Sequence, residues 1–171
     1  MMGRAKVREK MRVNVLDKVG FCQRLKEIKG MGDGLIRDVV NFVVNREFGP
    51  ERMKYEGSNM NIILVDENEI RQLNARFRNM DAPTDVLSFS YMDEEDVGEV
   101  IICPEVVERN SREFKVPFLE EFFRVLIHGI LHIVGYDHED EEDGRIMFEK
   151  QENLLREVID DLIKDSNRKG R

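Results

Sequence analysis

Four short segments of the chain have the hydrophobic pattern of β-strands. Residues 11–16 alternate between apolar and polar side chains, which is typical of a half-buried strand. Residues 60–65 are a β-branched apolar run, which is typical of a fully buried strand. Residues 85–91 and 98–103 are two further candidates, and the acidic loop 93–96 between them predicts that they pair as a hairpin.

Apolar residues at helical spacing predict five helices, two of them in the first half of the chain. The first helix has Asp33 as its cap and stops at Gly49 and Pro50. The second opens at Asp66, which forms a capping box with Glu69 three positions later.

The other three predicted helices lie in the second half. Pro104 suits the first turn of a helix that runs to about Phe114, and Pro117 opens the next, which Gly135 ends. The last helix covers about residues 141–164. Its predicted apolar face consists of Ile146, Leu154, Leu155, Val158 and Leu162.

This order of elements predicts an α+β fold. We expect one domain over residues 1–171, with a small mixed sheet of about four strands and about five helices. Residues 1–10 are a basic lead and residues 166–171 a tail, and both are expected to be flexible. No internal repeat, low-complexity stretch or linker divides the sequence.

Composition and cysteine spacing indicate the class of protein and the cellular compartment to expect. The 171 residues are 41% hydrophobic and 36% charged, a balance typical of globular domains. Cys22 and Cys103 form no CxxC pair, which argues against a disulfide framework and against a cysteine zinc site. The start lacks the apolar segment of a signal peptide, and no apolar run could span a bilayer. We therefore expect a cytoplasmic protein with no membrane partner.

Charge is distributed unevenly along the chain. The net charge of −8 alone argues against a nucleic-acid partner. Residues 1–80, however, have 16 Lys and Arg against 11 Asp and Glu, whereas residues 81–171 have 11 against 24. One face could therefore have a positive potential that the total conceals, although solvated acidic helices in the second half explain the same numbers equally well.

All three histidines of the protein lie within eleven residues, HGILHIVGYDH. His128 and His132 are four positions apart, so on a helix they project from one face. Gly135 can adopt the left-handed conformation that ends a helix, and this turn can bring His138 to the same point. Three converging imidazoles leave one tetrahedral position open for water, as in a catalytic zinc site. The predicted metal site is therefore zincin-like and lies on a helix. Nickel, copper or iron would accept the same ligands. A single histidine on an apolar face would more often be a core residue.

The spacing of these histidines is that of metzincin peptidases, with one departure. The metzincin helix carries a glutamate general base directly after the first histidine, and this chain has Gly129 there. A peptidase mechanism would therefore lack its base. Glycine inside a helix costs about 1 kcal/mol relative to alanine, so its presence suggests that something approaches the metal closely at this position.

Two segments resemble signatures of the YbeY family of bacterial endoribonucleases. HGILHIVGYDH is similar to the histidine signature of that family, and LNARFRNMDAPTDVLSFSY is similar to its second signature. VGEVIICPEVV resembles the strand that follows, and the order of elements matches from about residue 11 to residue 162. The resemblance implies a metal-dependent, single-strand-specific endoribonuclease that matures the 3′ end of the small-subunit ribosomal RNA and takes part in ribosome quality control.

The resemblance also assigns roles by position. His128, His132 and His138 match the ligands of one zinc ion (Zn2+), which makes His128 part of the catalytic centre. Arg78 matches the arginine that family members need for cleavage, although by itself it would be interpreted as a surface arginine near a helix end. The implied partners are single-stranded and ribosomal RNA, the small ribosomal subunit and a GTPase of subunit assembly. A metal and an arginine together suit the negative charge that develops on a phosphodiester.

Three acidic features near the signatures have two interpretations each. Asp85 and Asp137 could orient a ligand histidine as second-shell carboxylates, and Asp85 could instead position Arg78. Either carboxylate could equally cap a turn. The acidic run 139–143 would repel phosphate unless it faces away at the start of the last helix, where the helix dipole favours it.

RNA is expected to approach over the N-terminal half. Arg71 and Arg76 lie close to Arg78 in sequence and are candidate RNA-binding residues. The lead supplies a possible basic arm of Arg4, Lys6, Arg8, Lys10 and Arg12. Base stacking is open to Phe77, Phe89 and Tyr91, although core packing is the commoner role of such residues.

Three functions remain open from the sequence. The first is a metal-dependent ribonuclease, the second a metalloenzyme on another substrate such as a peptide, and the third a largely non-catalytic ribosome-assembly factor with a structural metal. Gly129 argues against the second, and the open fourth coordination position argues against the third.

Overall fold

Four strands form one mixed sheet in the computed structural model, which describes residues 10–29 and 32–164. The strands are β1 (Arg12–Asp17), β2 (Asn59–Leu64), β3 (Val86–Ser90) and β4 (Asp96–Ile102), and their spatial order is β1-β2-β4-β3. β2 pairs in parallel with β1 and with β4, whereas β3 pairs antiparallel with β4. The predicted mixed sheet and the predicted hairpin are confirmed.

Six α-helices surround this sheet within the described residues. They are α1 (Phe21–Lys29), α2 (Gly32–Phe48), α3 (Glu67–Arg78), α4 (Pro104–Phe114), α5 (Phe118–Ile133) and α6 (Glu141–Glu157). A 3-10 helix (Gly49–Tyr55) follows α2, and a π-helical segment (Val158–Ile163) continues α6. The α+β class is confirmed, and α2 to α6 are the five helices that the sequence predicts. None of the helices in these residues is long and apolar enough to cross a membrane.

The sixth helix, α1, is the one that was not identified individually from the sequence, which predicted about five helices. It begins where it does because the carboxylate of Asp17, at the end of β1, accepts backbone hydrogen bonds from Val19, Phe21 and Cys22 at 3.1, 3.1 and 2.7 Å. Burial opposes ionisation of Asp17, but these hydrogen bonds outweigh it and lower its pKa. Phe21 and Leu25, four positions apart, are the buried side chains that attach α1 to the core.

Of the two predicted helix caps, Asp66 and Asp33, only the first is found at the capping position. Asp66 caps α3 as predicted, and its Oδ1 accepts the N–H of Glu69 at 2.8 Å. Asp33 lies inside the first turn of α2 rather than before it, and it pairs with Arg37 at 2.8 Å. A negative charge interacts favourably with the helix dipole both at the capping position and in the first turn.

The apolar face predicted for α6 is partly wrong. Ile146 is 42% exposed, and its neighbour Met147 is buried instead. Leu154, Leu155 and Val158 are buried as predicted. The face that packs inward is therefore rotated by one position at the start of the helix.

The sheet separates two apolar clusters, because successive residues of a strand point to opposite faces. Met60, Ile62 and Leu64 of β2 face the larger cluster, which contains buried side chains from α1, α2, α5 and α6. The smaller cluster contains Leu87 of β3 with buried residues of α3 and α4. Within the larger cluster, α5 is the central helix. Its buried apolar residues are Phe122, Phe123, Val125, Leu126, Ile127, Ile130, Leu131 and Ile133.

Candidate metal centre

The last turns of α5 and the loop behind it bring the three histidines together. His128 and His132 lie one turn apart on α5. The helix ends in a Schellman motif, in which the N–H of Gly135 bonds to the carbonyl of His132 at 3.1 Å and the N–H of Tyr136 to that of Leu131 at 3.0 Å. Gly135 has a φ of +105°, which favours glycine, and the chain turns back at this residue.

The three imidazoles have the spacing of a metal-binding group. Nε2 of His128 lies 3.1 Å from Nε2 of His132, and one nitrogen from each of the three rings lies within 4.8 Å of the others. Two nitrogens bound to one tetrahedral zinc at about 2.0–2.1 Å would be about 3.3 Å apart, so the distance between His128 and His132 fits the ion. His128 and His132 are half-buried and His138 is exposed, which leaves one side of the group open to a substrate.

Electrostatics favour the neutral, metal-binding form of His132. Burial lowers its pKa below the ordinary 6.5, and electrostatic interactions with His128, His138 and Arg78 lower it further, whereas Asp137 opposes them. A neutral imidazole has the free lone pair that a metal needs. Among these residues, Arg78 is the one that belongs to α3, and its charge acts on His132.

The loop that carries His138 is anchored to two helices. Tyr136 donates its hydroxyl hydrogen to Oε2 of Glu47 on α2 at 2.9 Å, and Lys150 of α6 lies 3.5 Å from the other oxygen of Glu47. The side chain of Glu47 is only 6% exposed.

Asp140 caps α6 by accepting the N–H of Asp143 at 2.8 Å. The acidic run 139–143 therefore begins a helix, as one of its two interpretations predicted.

Gly129 makes close contact with the sheet. A Cβ at this position would lie 2.6 Å from Cγ1 of Val100 on β4 and 3.0 Å from Oγ of Ser88 on β3, two residues that are cross-strand partners. Both distances are shorter than ordinary van der Waals separations. The sequence predicted a close approach to the metal at Gly129, whereas the structure shows a close approach of the sheet, which by itself accounts for the glycine.

Arg78 is the final residue of α3 and is exposed. It has no hydrogen-bond or ion-pair partner among residues 10–29 and 32–164. The helix ends directly after it because Asn79 adopts the left-handed conformation with a φ of +59°. The buried side chain of Asn74 donates to the carbonyl of Ala82 at 2.8 Å and so holds the loop that follows. This role of Asn74 was not predicted from the sequence.

The other predicted RNA-binding residues differ in their surroundings. Arg71 is paired with Asp81 at 2.8 Å, whereas Arg76 lies over the exposed ring of Phe77, with 5.3 Å between its guanidinium carbon and the ring centroid. Phe77 is packed edge-on against Phe89 with 5.0 Å between the centroids.

The two remaining candidates for base stacking differ in exposure. Phe89 packs against the smaller apolar cluster. Tyr91 is 50% exposed and donates its hydroxyl hydrogen to Glu99 at 3.0 Å. Arg12 of the basic arm bonds to the carbonyl of Gly57 at 2.6 Å, and Lys10 is exposed. Arg4, Lys6 and Arg8 lie outside the described residues.

Asp85 and Asp137 lie near the histidines without a described hydrogen bond to their rings. Asp85 lines a cavity of about 210 Å³ together with His128. Asp137 accepts the N–H of His138 at 2.7 Å. The ring of His128 instead has Gln151 of α6 as its partner, with 2.7 Å between Nδ1 and Oε1. The sequence carries no local signal for Gln151, because it lies 23 positions further along the chain on a different helix.

Comparison with known proteins gives consistent results. Residues 23–159 match the family model described as endoribonuclease YbeY. Endoribonuclease YbeY of Thermotoga petrophila is 44% identical over 134 residues, which cover 76% of this chain and 85% of that protein. Endoribonuclease YbeY of Petrotoga mobilis is 39% identical over 153 residues, covering 88% and 98%. The solution structure of a Thermotoga maritima protein has a TM-score of 0.58 to this chain at 37% identity, and the match covers 91% of this chain and 95% of that one.

Proposed function

Because the chain belongs to the YbeY family of endoribonucleases, we propose that it is a metal-dependent endoribonuclease that cleaves single-stranded RNA. The observation that carries this proposal is the convergence of three imidazole nitrogens within 4.8 Å of one another, with the charge of Arg78 acting on the same group. His128, His132 and His138 would hold one divalent ion, and zinc is the ion that an all-imidazole set suits well.

A divalent ion bound here would act as a Lewis acid for the negative charge that develops on the phosphodiester. Arg78, whose charge acts on His132, would supply a second, permanent positive charge. Its guanidinium can bind two phosphate oxygens at once, and it is free to do so because no described carboxylate occupies it. The exposed side of the group, at His138, is where an RNA strand would enter.

Two alternatives receive less support from the geometry. A peptidase of the metzincin type needs a glutamate at position 129, and Val100 and Ser88 leave no room for a side chain there. An assembly factor with a purely structural metal needs no open ligand position, yet three imidazoles at an exposed rim leave one open.

The biological substrate and partners follow from the family resemblance. We propose ribosomal RNA, in particular the 3′ end of the small-subunit RNA, as the substrate in maturation and in quality control. The small ribosomal subunit and an assembly GTPase are the proposed partners, and the cytoplasm the proposed location. Exposed Arg76 and Lys10 are candidates for additional phosphate contacts, whereas the ion pair with Asp81 weakens the case for Arg71.

The proposal is tested by cleavage of an end-labelled single-stranded RNA with metal-depleted and zinc-loaded protein. Activity should depend on the metal and be abolished in His128→Ala. Arg78→Ala should lower kcat/KM by about 10–150-fold, the equivalent of one hydrogen bond to a charged group at about 1.5–3 kcal/mol. Arg78→Lys should recover only part of the loss, because lysine cannot bind two oxygens in one plane.

Arg112→Ala is the matched control. Arg112 is an exposed arginine in the last turn of α4, a helix that also ends in a left-handed residue, Lys115. Its removal should leave cleavage unchanged. Equal cleavage by the wild type, His128→Ala and Arg78→Ala would identify a contaminating nuclease and contradict the proposal. Peptide cleavage without RNA cleavage would support the metalloenzyme alternative instead.

A further inference from the structure

His128 has a buried hydrogen-bond partner on a second helix. Its Nδ1 lies 2.7 Å from Oε1 of Gln151, a residue of α6 that is only 7% exposed. A neutral imidazole carries one proton on one of its two nitrogens. The partner at Nδ1 therefore decides whether Nε2 has a free lone pair.

Glu152 determines how the amide of Gln151 is oriented. Nε2 of Gln151 lies 3.3 Å from Oε1 of Glu152. An ionised carboxylate only accepts hydrogen bonds, so the amide must turn its NH2 group toward Glu152. The oxygen of the amide then faces His128, where it can only accept.

Arg124 of α5 in turn holds the carboxylate of Glu152 in place. Its Nε donates to Oε1 of Glu152 at 2.8 Å, and its other nitrogens donate to Glu121 at 2.6 Å and to Glu120 at 3.0 Å. Arginine does not lose its proton in proteins, so Glu152 has a fixed positive partner. The side chain of Arg124 is only 22% exposed, which protects these contacts from competition by water.

We propose that Gln151 is a positioning residue of the metal centre. Gln151 accepts the Nδ1–H of His128 and so leaves a lone pair on Nε2, the nitrogen that lies 3.1 Å from Nε2 of His132. Arg124 and Glu152 fix the direction of the amide, and the amide fixes the tautomer of the ligand. The proposal rests on the proposed metal centre and adds a residue to it from α6.

The energetic consequence is a loss of metal affinity when the acceptor is removed. Partners of this kind fix the ring and make the ligand nitrogen more basic, and their loss typically weakens metal binding 10–100-fold. Gln151→Leu keeps the approximate size of the side chain and removes the acceptor. Gln151→Glu restores an acceptor for Nδ1–H.

The tautomer can be measured directly by NMR on the metal-free protein. With three histidines, long-range 15N–1H spectra of the rings at about pH 8, where free imidazole is neutral, can be assigned residue by residue. We expect the proton of His128 on Nδ1 in the wild type. We expect the same in Gln151→Glu, and a mixture or a proton on Nε2 in Gln151→Leu. A wild-type proton on Nε2 would overturn the proposal, whether or not any variant folds.

Zinc affinity, measured by competition with a chromophoric chelator, is the second readout. We expect a 10–100-fold weaker Kd for Gln151→Leu and recovery of most of the loss in Gln151→Glu. Gln23→Leu is the control, since Gln23 of α1 is an exposed glutamine whose amide donates to Glu27 of the same helix at 3.3 Å. Its Kd should equal that of the wild type. An unchanged Kd in a folded Gln151→Leu protein, checked by circular dichroism, would contradict the role of Gln151.

The two measurements separate this inference from the proposed function. Neither uses RNA cleavage, so a catalytically inactive protein that shows both effects supports Gln151 and contradicts only the ribonuclease. A wild type that takes up no zinc would overturn the metal centre and, with it, the role of Gln151.

Discussion

Gly129 packs so closely against the sheet that a side chain at this position should destabilise the protein. In Gly129→Ala the new Cβ would lie 2.6 Å from Cγ1 and 3.2 Å from Cγ2 of Val100. Carbon atoms in contact are normally about 3.5–4.0 Å apart, so the overlap is about 1 Å. Val100 is fully buried on β4, between β2 and β3, and has little room to move.

Two opposing terms set the size of the effect. Alanine gains about 1 kcal/mol over glycine inside a helix. Overpacking of a buried contact costs about 1–3 kcal/mol, and an overlap of this size against a central strand lies toward the upper end. We therefore expect Gly129→Ala to lower the free energy of unfolding by about 1–2 kcal/mol, measured by urea denaturation.

A double-mutant cycle with Val100→Ala tests the cause. Once both Cγ atoms are removed, Gly129→Ala should lose most of its penalty and become close to neutral, because only the contact with Oγ of Ser88 at 3.0 Å remains. The expected interaction energy is about 1–2 kcal/mol. Gly34→Ala is the control, because a Cβ on Gly34 of α2 would meet no atom within 4 Å. It should stabilise or be neutral. An equal effect of Gly129→Ala with and without Val100 would refute the packing account.

Two further predictions concern the contacts that position α1 and the metal-site loop. Asp17→Ala should cost about 0.5–2 kcal/mol, the value of a helix cap. Since folding lowers the pKa of Asp17 below its ordinary 3.8, this contribution is complete above that pH and is lost as the pH falls through the lower folded value, so denaturation curves of the two proteins should converge in acid. Tyr136→Phe removes one hydrogen bond from buried Glu47 and should cost about 1–3 kcal/mol in urea denaturation. A cost near zero would show that the loop is held by other contacts.

Local patterns predicted those parts of the site that lie close together in sequence. The spacing of His128 and His132, and the turn at Gly135, follow from helix geometry, and the structure places the three histidines together accordingly. The capping box at Asp66 is equally local. Each of these needs only the periodicity of one helix and the conformational freedom of one glycine.

Long-range contacts could not be predicted in the same way. Gln151 meets His128 only because α6 packs along α5, and no spacing rule links residues on two helices. α1 begins at a carboxylate four residues before its first residue and is only nine residues long, so its apolar pattern extends over little more than two turns. The contact of Gly129 with Val100 depends on how α5 crosses the sheet. In that case the sequence predicted a close approach to the metal, and the structure shows a close approach of the sheet instead.

The central claim is that the three histidines share one metal ion, and metal content per chain tests it most directly. Wild-type protein, stripped with a chelator, loaded with zinc at neutral pH and desalted, should contain one zinc ion per chain by elemental analysis. His128→Ala, His132→Ala and His138→Ala should each contain much less under the same conditions. A folded wild type that retains no zinc, or variants that retain as much as the wild type, would contradict the account.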